Sequence, residues 1–208
     1  KKENSAVTPA ERNSEDWWKE RVAASDARIA KGDVGLIFIG DSITHGWEDG
    51  GKEIWAKYYE KRKAINLGFS GDRTQHVLWR LEKHPIKSLA TKVEGKATPK
   101  LVVLMIGTNN SNGDDNTAAE IGAGIAAIVK QLGAQLLETK VLILGIFPRS
   151  EKPDAQRKKN EDANAIAAKL ADGKRVHYLD IGSKFLTADG MLTKEIMPDA
   201  LHPNAKGY

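Results

Sequence analysis

VGLIFI, residues 34–39, leads directly into Gly40-Asp41-Ser42. A continuous apolar run without alternation is typical of a parallel strand that is buried on both faces of its sheet. The chain contains two more runs of this kind and two weaker strand candidates, at 101–106, 140–147, 63–67 and 176–180. The sequence therefore predicts a parallel sheet of five strands, with Gly40 at the end of the first strand.

One segment with helical periodicity precedes the first strand, and three more lie between the later strands. They cover 15–31, 74–83, 117–132 and 154–171, and each places apolar residues three or four positions apart. Alternating strands and helices imply βαβ units with right-handed crossovers. The predicted fold class is therefore α/β, a three-layer α/β/α sandwich around a flavodoxin-like five-stranded parallel sheet.

The length of 208 residues suits a single domain. We expect the polar residues 1–14 to form a flexible N-terminal arm and residues 15–208 to form the domain. The longest stretch without a clear element is 182–203, and loops of that length in a compact domain are often functional.

Composition excludes several classes of function. No apolar run approaches the roughly 18 residues of a membrane span, which argues against an integral membrane protein. The net charge of +4 is spread among acidic residues instead of forming a basic stripe, so nucleic-acid binding is not expected. Without cysteine there is no disulfide, no thiolate metal site and no cysteine nucleophile.

A metal site is the main chemical alternative, because the chain has five histidines and many carboxylates. None of the histidines shows the His-x-x-x-His spacing of a helical metal site. We therefore predict neither a metal nor another cofactor. Whether His45, three residues after Ser42, faces a site is left open by its spacing.

Ser42 follows the first predicted strand, at the carboxyl edge of the sheet where open α/β sheets bind their ligands. Backbone N–H groups at the start of the next helix can serve an oxyanion formed there. The alternative interpretation is a turn in which Ser42 only caps a helix.

Two further turns end at the same predicted edge. The second strand is followed by Gly71, which lets the backbone approach a bound group closely. The third is followed by Asn109, whose side-chain amide can donate a hydrogen bond. Each of these residues taken singly also fits ordinary turn chemistry.

Asp199 and His202 lie three residues apart in the irregular C-terminal segment. A carboxylate at this distance can hold the Nδ1 proton of the imidazole, so that Nε2 is free to accept a proton from a serine. This is the division of labour of Ser-His-Asp hydrolases.

These four motifs occur in one order: Gly-Asp-Ser, a glycine after the second strand, Gly-Thr-Asn and Asp-x-x-His-Pro. The ordered set resembles the conserved blocks of SGNH (GDSL-type) hydrolases over roughly residues 34–208. Four longer segments resemble the platelet-activating factor acetylhydrolase Ib-like branch, including its bacterial esterases. They are NLGFSGDRTQHVLWRL, IGTNN, FPRSEKP and DALHPNAKGY.

The resemblance implies a role for each matching residue. Ser42 is the nucleophile, Asp199 and His202 complete the triad, and Gly71 and Asn109 join the Ser42 N–H in the oxyanion hole. The sequence departs from the superfamily at position 110, where Asn110 stands in place of the common Asp, as in the acetylhydrolase-like branch. Relatives also continue into a final helix, so we expect more chain beyond Tyr208.

The expected activity is metal-independent hydrolysis of a small carboxylic ester through an acyl-enzyme, with acetyl as the acyl group. The leaving alcohol is expected to be a saccharide hydroxyl, and a lipid of the acetylhydrolase type is the alternative. Export to the medium or the periplasm is favoured over the cytoplasm, and a homodimer stays open. The alternative from another class is a non-catalytic glycan-binding module with the same fold.

Overall fold

The computed structural model of the protein describes residues 3–208. Its sheet has five strands in the order β2-β1-β3-β4-β5, and every neighbouring pair is parallel. This is the flavodoxin-like order, which confirms the predicted fold class. The strands are β1 (Leu36–Gly40), β2 (Ala64–Gly68), β3 (Leu101–Met105), β4 (Lys140–Leu144) and β5 (Val176–Leu179).

The described chain has six α-helices, and four of them are the predicted ones with ends shifted by at most three residues. The other two, α2 and α3, were not predicted, because four and seven residues are too few to show a helical period. The helices are α1 (Asp16–Ala30), α2 (Ser42–His45), α3 (Lys52–Tyr58), α4 (Thr74–Lys83), α5 (Ala118–Gln135) and α6 (Ala155–Ala168).

The main core lies between one face of the sheet and the helices α1, α4, α5 and α6. Alternate residues of the strands, such as Ile37 and Ile39, point to this face. They meet the apolar stripe of α5, where Ile121, Ile128 and Leu132 have no solvent exposure. The stripe repeats every three or four residues because those positions share one side of a helix.

The opposite face of the sheet carries α3 and a cluster of aromatic rings. Phe38 lies within 5.0–6.1 Å, between ring centroids, of Trp47, Trp55 and Tyr59. Beside this cluster is an apolar cavity of about 360 Å³, whose lining includes residues of β1, β3 and β4 together with Tyr208. This face of the sheet is therefore covered by less helix than the face that packs against α1, α4, α5 and α6.

The C-terminal segment packs against the end of the sheet and forms a second core. Beyond β5 it contains a 3₁₀ turn, Gly182–Phe185, and one isolated bridge between Leu186 and Leu192. Its apolar side chains are buried against residues at the end of β3 and just after β1 and β4. The fully or largely buried members are Ile43, Met105, Phe147, Phe185, Leu192 and Met197.

The N-terminal segment, predicted to be a flexible arm over residues 1–14, contacts the start of α4. Ala6 is fully buried, its carbonyl accepts a 2.7 Å hydrogen bond from the Thr74 hydroxyl, and the Ala10 amide donates to the carbonyl of Gln75. The sequence does not predict these contacts, because a single small buried side chain shows no apolar period. Lys1 and Lys2 of the predicted arm lie outside the described residues.

Gly40 is the last residue of β1 and leads into the turn that contains Ser42. A Cβ at this position would lie 2.1 Å from the Thr44 hydroxyl and 2.4 Å from the Met105 carbonyl oxygen. The Gly40 carbonyl also accepts a hydrogen bond from the Phe69 amide. Only glycine lets β1, α2 and the end of β3 approach one another this closely.

Replacing Gly40 by alanine should force these three segments apart. We expect Gly40→Ala to lower the free energy of unfolding by about 1–3 kcal/mol, the usual cost of overpacking, as measured by urea denaturation. Gly133→Ala in α5 is the matched control, because its Cβ would meet only the guanidinium of Arg175, no closer than 3.3 Å, and alanine favours helix by up to about 1 kcal/mol. Equal stability of Gly40→Ala and the wild type would contradict this account of the turn.

Candidate active site

Ser42 is the first residue of α2, directly after β1. The preceding residue, Asp41, is the N-cap, and its side chain accepts a 3.0 Å hydrogen bond from the Ile43 amide. The first N–H groups of a helix have no partner within the helix, so the Ser42 N–H is available to a bound group. The turn therefore presents a hydroxyl and a backbone donor together.

The structure brings Ser42, His202 and Asp199 into one hydrogen-bonded chain, although 160 positions separate the first two. The Ser42 Oγ lies 2.8 Å from Nε2 of His202. Nδ1 of His202 lies 2.6 Å from Oδ2 of Asp199, and the other carboxylate oxygen accepts the His202 backbone N–H at 2.7 Å. Asp199 thus fixes both the ring and the backbone of the histidine.

The charge of Asp199 sets the tautomer of His202. Desolvation raises the pKa of Asp199, but the hydrogen bonds from the His202 side chain and backbone outweigh it and hold this pKa below its ordinary value. An ionised carboxylate accepts only, so the imidazole proton lies on Nδ1. Nε2 is left with a lone pair that faces the Ser42 hydroxyl.

Gly71 and Asn109 lie in the loops after β2 and β3, and these strands flank β1 on its two sides. Both loops therefore border Ser42. Gly71 has a φ of +77°, a left-handed conformation that glycine adopts without strain. The Nδ2 atom of Asn109 donates to the carbonyl of Asp72 at 2.9 Å and keeps a second N–H.

Asn110, the departure from the superfamily pattern, points away from the site into the protein. It is fully buried, and its side chain binds Thr74, Gln75 and Asn116. These contacts tie the loop after β3 to the start of α4. The residue is therefore structural, and a neutral amide satisfies both donors and acceptors there.

His45, whose place the sequence left open, lines the pocket beside Ser42. Its Nδ1 lies 3.0 Å from the Ser70 hydroxyl and accepts the Ser70 backbone N–H at 3.3 Å. Burial, followed by the charge of Arg21, lowers the pKa of His45 below its ordinary value. A neutral ring that accepts at Nδ1 carries its proton on Nε2, which lies 3.8 Å from a carboxylate oxygen of Glu48.

The pocket around these residues has a volume of about 720 Å³. Eight of its twelve lining residues have polar side chains, and their hydroxyl, imidazole, carboxylate and amide groups are contributed by α2, the turn after it, the loop after β2 and the C-terminal segment. The lining residues are Ser42, His45, Gly46, Glu48, Asp49, Gly50, Ser70, His202, Pro203, Asn204, Ala205 and Tyr208.

No sequence motif assigned a role to Asp72 and Arg12, which support the loop of Gly71. Asp72 is fully buried and accepts hydrogen bonds from Trp18, Arg80 and Arg12. The only signal for Asp72 was its place after a strand, next to a glycine. Arg12 lies in a polar segment without periodicity, where no pattern distinguishes it from its neighbours.

Across residues 3–208, no group of three or more acidic or histidine side chains is arranged to hold a metal ion. None of the helices in that range is long and apolar enough to cross a membrane.

A parallel α/β sheet with a Ser-His-Asp chain at the carboxyl end of its first strand is an arrangement found in hydrolases. Comparison with known proteins narrows the class. The model of the GDSL-like lipase/acylhydrolase family matches residues 38–208. The human platelet-activating factor acetylhydrolase IB subunit alpha1 is 36% identical over 174 residues, which cover 83% of this chain and 70% of that protein. The chain belongs to the GDSL-like lipase/acylhydrolase family.

Solved structures show the same fold. A GDSL-like lipase from Bacteroides thetaiotaomicron superposes with a TM-score of 0.71 at 22% identity and covers 91% of this chain and 90% of that one. An acetylxylan esterase from Geobacillus stearothermophilus has a TM-score of 0.61 at 17% identity, with 85% and 89% covered. Family and fold identify the protein as an esterase or acylhydrolase.

The buried carboxyl of Asp41 makes stability depend on pH. Burial raises the pKa of Asp41 to about 7, although the hydrogen bond from Ile43 opposes the shift. The protonated carboxyl is favoured in the folded protein. Its contribution to the free energy of unfolding is therefore fully present below the ordinary aspartate pKa, near 4, and is lost as the pH rises through 7. Asp41→Asn keeps the acceptor oxygen but cannot ionise. Relative to this variant, the wild type should lose about 2–3 kcal/mol of unfolding free energy between pH 5 and pH 8.

Urea denaturation at both pH values measures this difference. Asp172→Asn is the control, because three backbone N–H groups lower the pKa of Asp172 to about 2 and the group stays ionised over the whole interval. Its stability difference from the wild type should be the same at pH 5 and pH 8. A pH-independent difference for Asp41→Asn as well would show that Asp41 is ionised in the folded protein.

Proposed function

We propose that the protein hydrolyses short-chain carboxylic esters, chiefly O-acetyl groups on saccharides, through an acyl-enzyme on Ser42. The observation that carries this proposal is the hydrogen-bonded chain from Ser42 through His202 to Asp199, with distances of 2.8 and 2.6 Å. Both distances are those of strong hydrogen bonds between a nucleophile, its base and the group that orients the base.

In the first half of the reaction, the Ser42 Oγ attacks the ester carbonyl carbon and His202 Nε2 takes the hydroxyl proton. The carbonyl oxygen becomes an oxyanion, which the N–H groups of Ser42 and Gly71 and the Asn109 amide would stabilise. The C–O bond to the alcohol then breaks, and the imidazolium returns its proton to the leaving oxygen. The acyl group remains on Ser42.

In the second half, water replaces the alcohol. His202 removes a proton from the water as it attacks the acyl carbon, and then returns the proton to the Ser42 oxygen as the carboxylic acid leaves. Asp199 stays ionised in both halves and stabilises the imidazolium, which agrees with its lowered pKa. No group beyond these residues and water is needed to balance the reaction.

The lining of the pocket favours a small acyl group and a polar alcohol. His45, Glu48, Asp49 and Asn204 offer hydrogen-bond donors and acceptors close to Ser42. None of the apolar side chains of 185–197 lines this pocket, and Phe185, Leu192 and Met197 are buried in the second core instead. Saccharide hydroxyls match such a lining, and the human relative is named an acetylhydrolase.

A lipid substrate is the second candidate, and one observation favours it. The apolar cavity of about 360 Å³ on the far face of the sheet shares Tyr208 with the polar pocket. The Tyr208 hydroxyl donates to the Ile43 carbonyl at 2.6 Å, and its ring packs on Trp47. Tyr208 thus stands between the two cavities, and we assign substrate binding to the polar one.

The nucleophile is tested by Ser42→Ala, which should lower kcat on an aryl acetate by at least about 10³-fold with unchanged thermal stability, because the covalent route is lost. His202→Ala should cost about as much, and the double variant no more than either one, since both residues serve one step. The exposed Ser88, on the turn Lys87–Ala90, supplies the control Ser88→Ala, which should keep full activity.

Covalent labelling of the wild type by a fluorophosphonate, located at Ser42 by mass spectrometry, distinguishes an enzyme from a binding module. Ser42→Ala should not be labelled. Activity of Ser42→Ala within tenfold of the wild type would overturn the assignment of the nucleophile.

Acyl-chain length is the next test. We expect kcat/KM to be highest for p-nitrophenyl acetate and to fall through butyrate to octanoate, because methylenes left in water forfeit about 0.8 kcal/mol each. Acetate release should likewise be faster from acetylated xylo-oligosaccharides than from an acetyl-phospholipid. A kcat/KM that rises steadily with chain length, measured below micelle-forming concentrations, would favour the lipid candidate instead.

A further inference from the structure

Arg12 reaches from the N-terminal segment into the loop of Gly71. Its Nη1 donates to the Ser70 carbonyl at 2.6 Å and to a carboxylate oxygen of Asp72 at 3.2 Å. Nε and Nη2 bind the Glu15 carboxylate at 2.6–2.9 Å, which holds the guanidinium in place. The side chain is only 14% exposed. Arg12 therefore grips the residues on both sides of Gly71 from outside the pocket.

We propose that Arg12 is a positioning residue for ester hydrolysis, which holds the Ser70–Gly71 peptide group so that the Gly71 N–H faces the oxyanion. The inference rests on the proposed function. It follows from the planarity of the peptide group: in a trans peptide the C=O and the N–H point in opposite directions. The described chain has no cis peptide bond. A carbonyl of Ser70 that points at Arg12 therefore directs the Gly71 N–H away from Arg12.

Glycine at position 71 makes such an anchor necessary. Gly71 has a φ of +77°, and a residue without Cβ adopts positive and negative φ about equally well. Rotation of the Ser70–Gly71 peptide group is therefore not prevented by sterics at Gly71, and rotation would turn the N–H away from the site. The bond from a charged guanidinium to the Ser70 carbonyl selects one orientation, because charge-assisted hydrogen bonds are stronger than neutral ones.

The opposite side of Ser70 is held from within the pocket. Its backbone N–H donates to Nδ1 of His45, and its hydroxyl lies 3.0 Å from the same atom. His45 thus fixes the start of the loop, while Arg12 fixes the peptide group that follows. The two contacts together fix the orientation of the peptide group, and neither of them uses the Gly71 N–H as a donor.

The second proposed oxyanion donor depends on the same loop. Asn109 donates one amide N–H to the carbonyl of Asp72, and the Asp72 side chain is one of the groups that Arg12 binds. A shift of the loop would therefore move the Asn109 amide together with the Gly71 N–H. One guanidinium outside the pocket supports two of the three proposed donors.

The experiment compares Arg12→Ala and the milder Arg12→Lys with the wild type on p-nitrophenyl acetate. We expect Arg12→Ala to lower kcat about 10- to 100-fold with KM within about threefold, because oxyanion donors act on the transition state more than on bound substrate. Lysine has three donors and no planar fork, so it cannot reproduce all five hydrogen bonds of Arg12, and Arg12→Lys should fall between the two. Guanidinium or methylguanidinium ions added to Arg12→Ala should restore part of kcat.

An alkyl boronic acid supplies a second measurement. Its tetrahedral adduct with Ser42 places an oxygen in the oxyanion hole, so its inhibition constant should rise in Arg12→Ala by about the same factor as kcat/KM falls. The matched control is Arg28→Ala, since Arg28 also binds backbone carbonyls, of Gly32 and Asp33, but at the far end of α1. This control should keep the wild-type kcat and boronate affinity.

Several results would overturn the proposal. The first is a kcat of Arg12→Ala within twofold of the wild type, and the second is a change in KM alone. The third is a loss of kcat that is proportional to the loss of folded protein, is not rescued by guanidinium and leaves the boronate affinity unchanged. Ser42→Ala, assayed in parallel, separates this inference from the proposed function. An inactive Ser42→Ala beside a fully active Arg12→Ala refutes only the role of Arg12, whereas an active Ser42→Ala refutes both.

Discussion

The carboxylate of Asp72 is the interaction on which the site depends. It has no solvent exposure, and burial alone raises its pKa. Trp18 donates to it at 2.8 Å, Arg80 at 3.0 Å and Arg12 at 3.2 Å, so that α1, α4 and the N-terminal segment meet at one side chain. A buried charge is tolerated only when it is paired and hydrogen-bonded in this way. Its removal would leave two guanidinium groups around a gap, beside the loop that carries Gly71.

The order of the strands explains why this loop matters for Ser42. β1 lies between β2 and β3, so the loops after all three strands meet at one edge of the sheet. The proposed nucleophile, Ser42, follows the middle strand, and the proposed oxyanion donors follow its neighbours on the two sides. Gly40 and Gly68, paired across β1 and β2, keep the backbones close where the strands end. The order of the strands therefore places the proposed donors beside Ser42, and the contacts of Asp72 hold the loop that carries Gly71 in position.

The sequence predicted the strands, the four longer helices and the chain of Ser42, His202 and Asp199, because apolar runs, helical periods and short motifs are local patterns. The short helices α2 and α3 were missed because too few residues show a period. The packing of the N-terminal segment could not be predicted, since it depends on one small buried side chain, Ala6, and on hydrogen bonds to distant residues. Arg12 and Asp72 owe their roles to contacts about 60 residues apart, which no local pattern records.

The two halves of the Ser-His pair are held by different means, and this has a consequence for activity. Ser42 is fixed by the sheet, whereas His202 belongs to an irregular segment that packing and a few hydrogen bonds hold in place. Arg157, almost fully buried, donates to the carbonyls of Arg149 and Gly190, and the Ser150 amide donates to the Ala200 carbonyl. Proton transfer requires Nε2 within hydrogen-bond reach of Oγ. Loosening the packing beneath the segment should therefore slow catalysis without any change at Ser42, since displacements of about 1 Å are costly at a reacting pair.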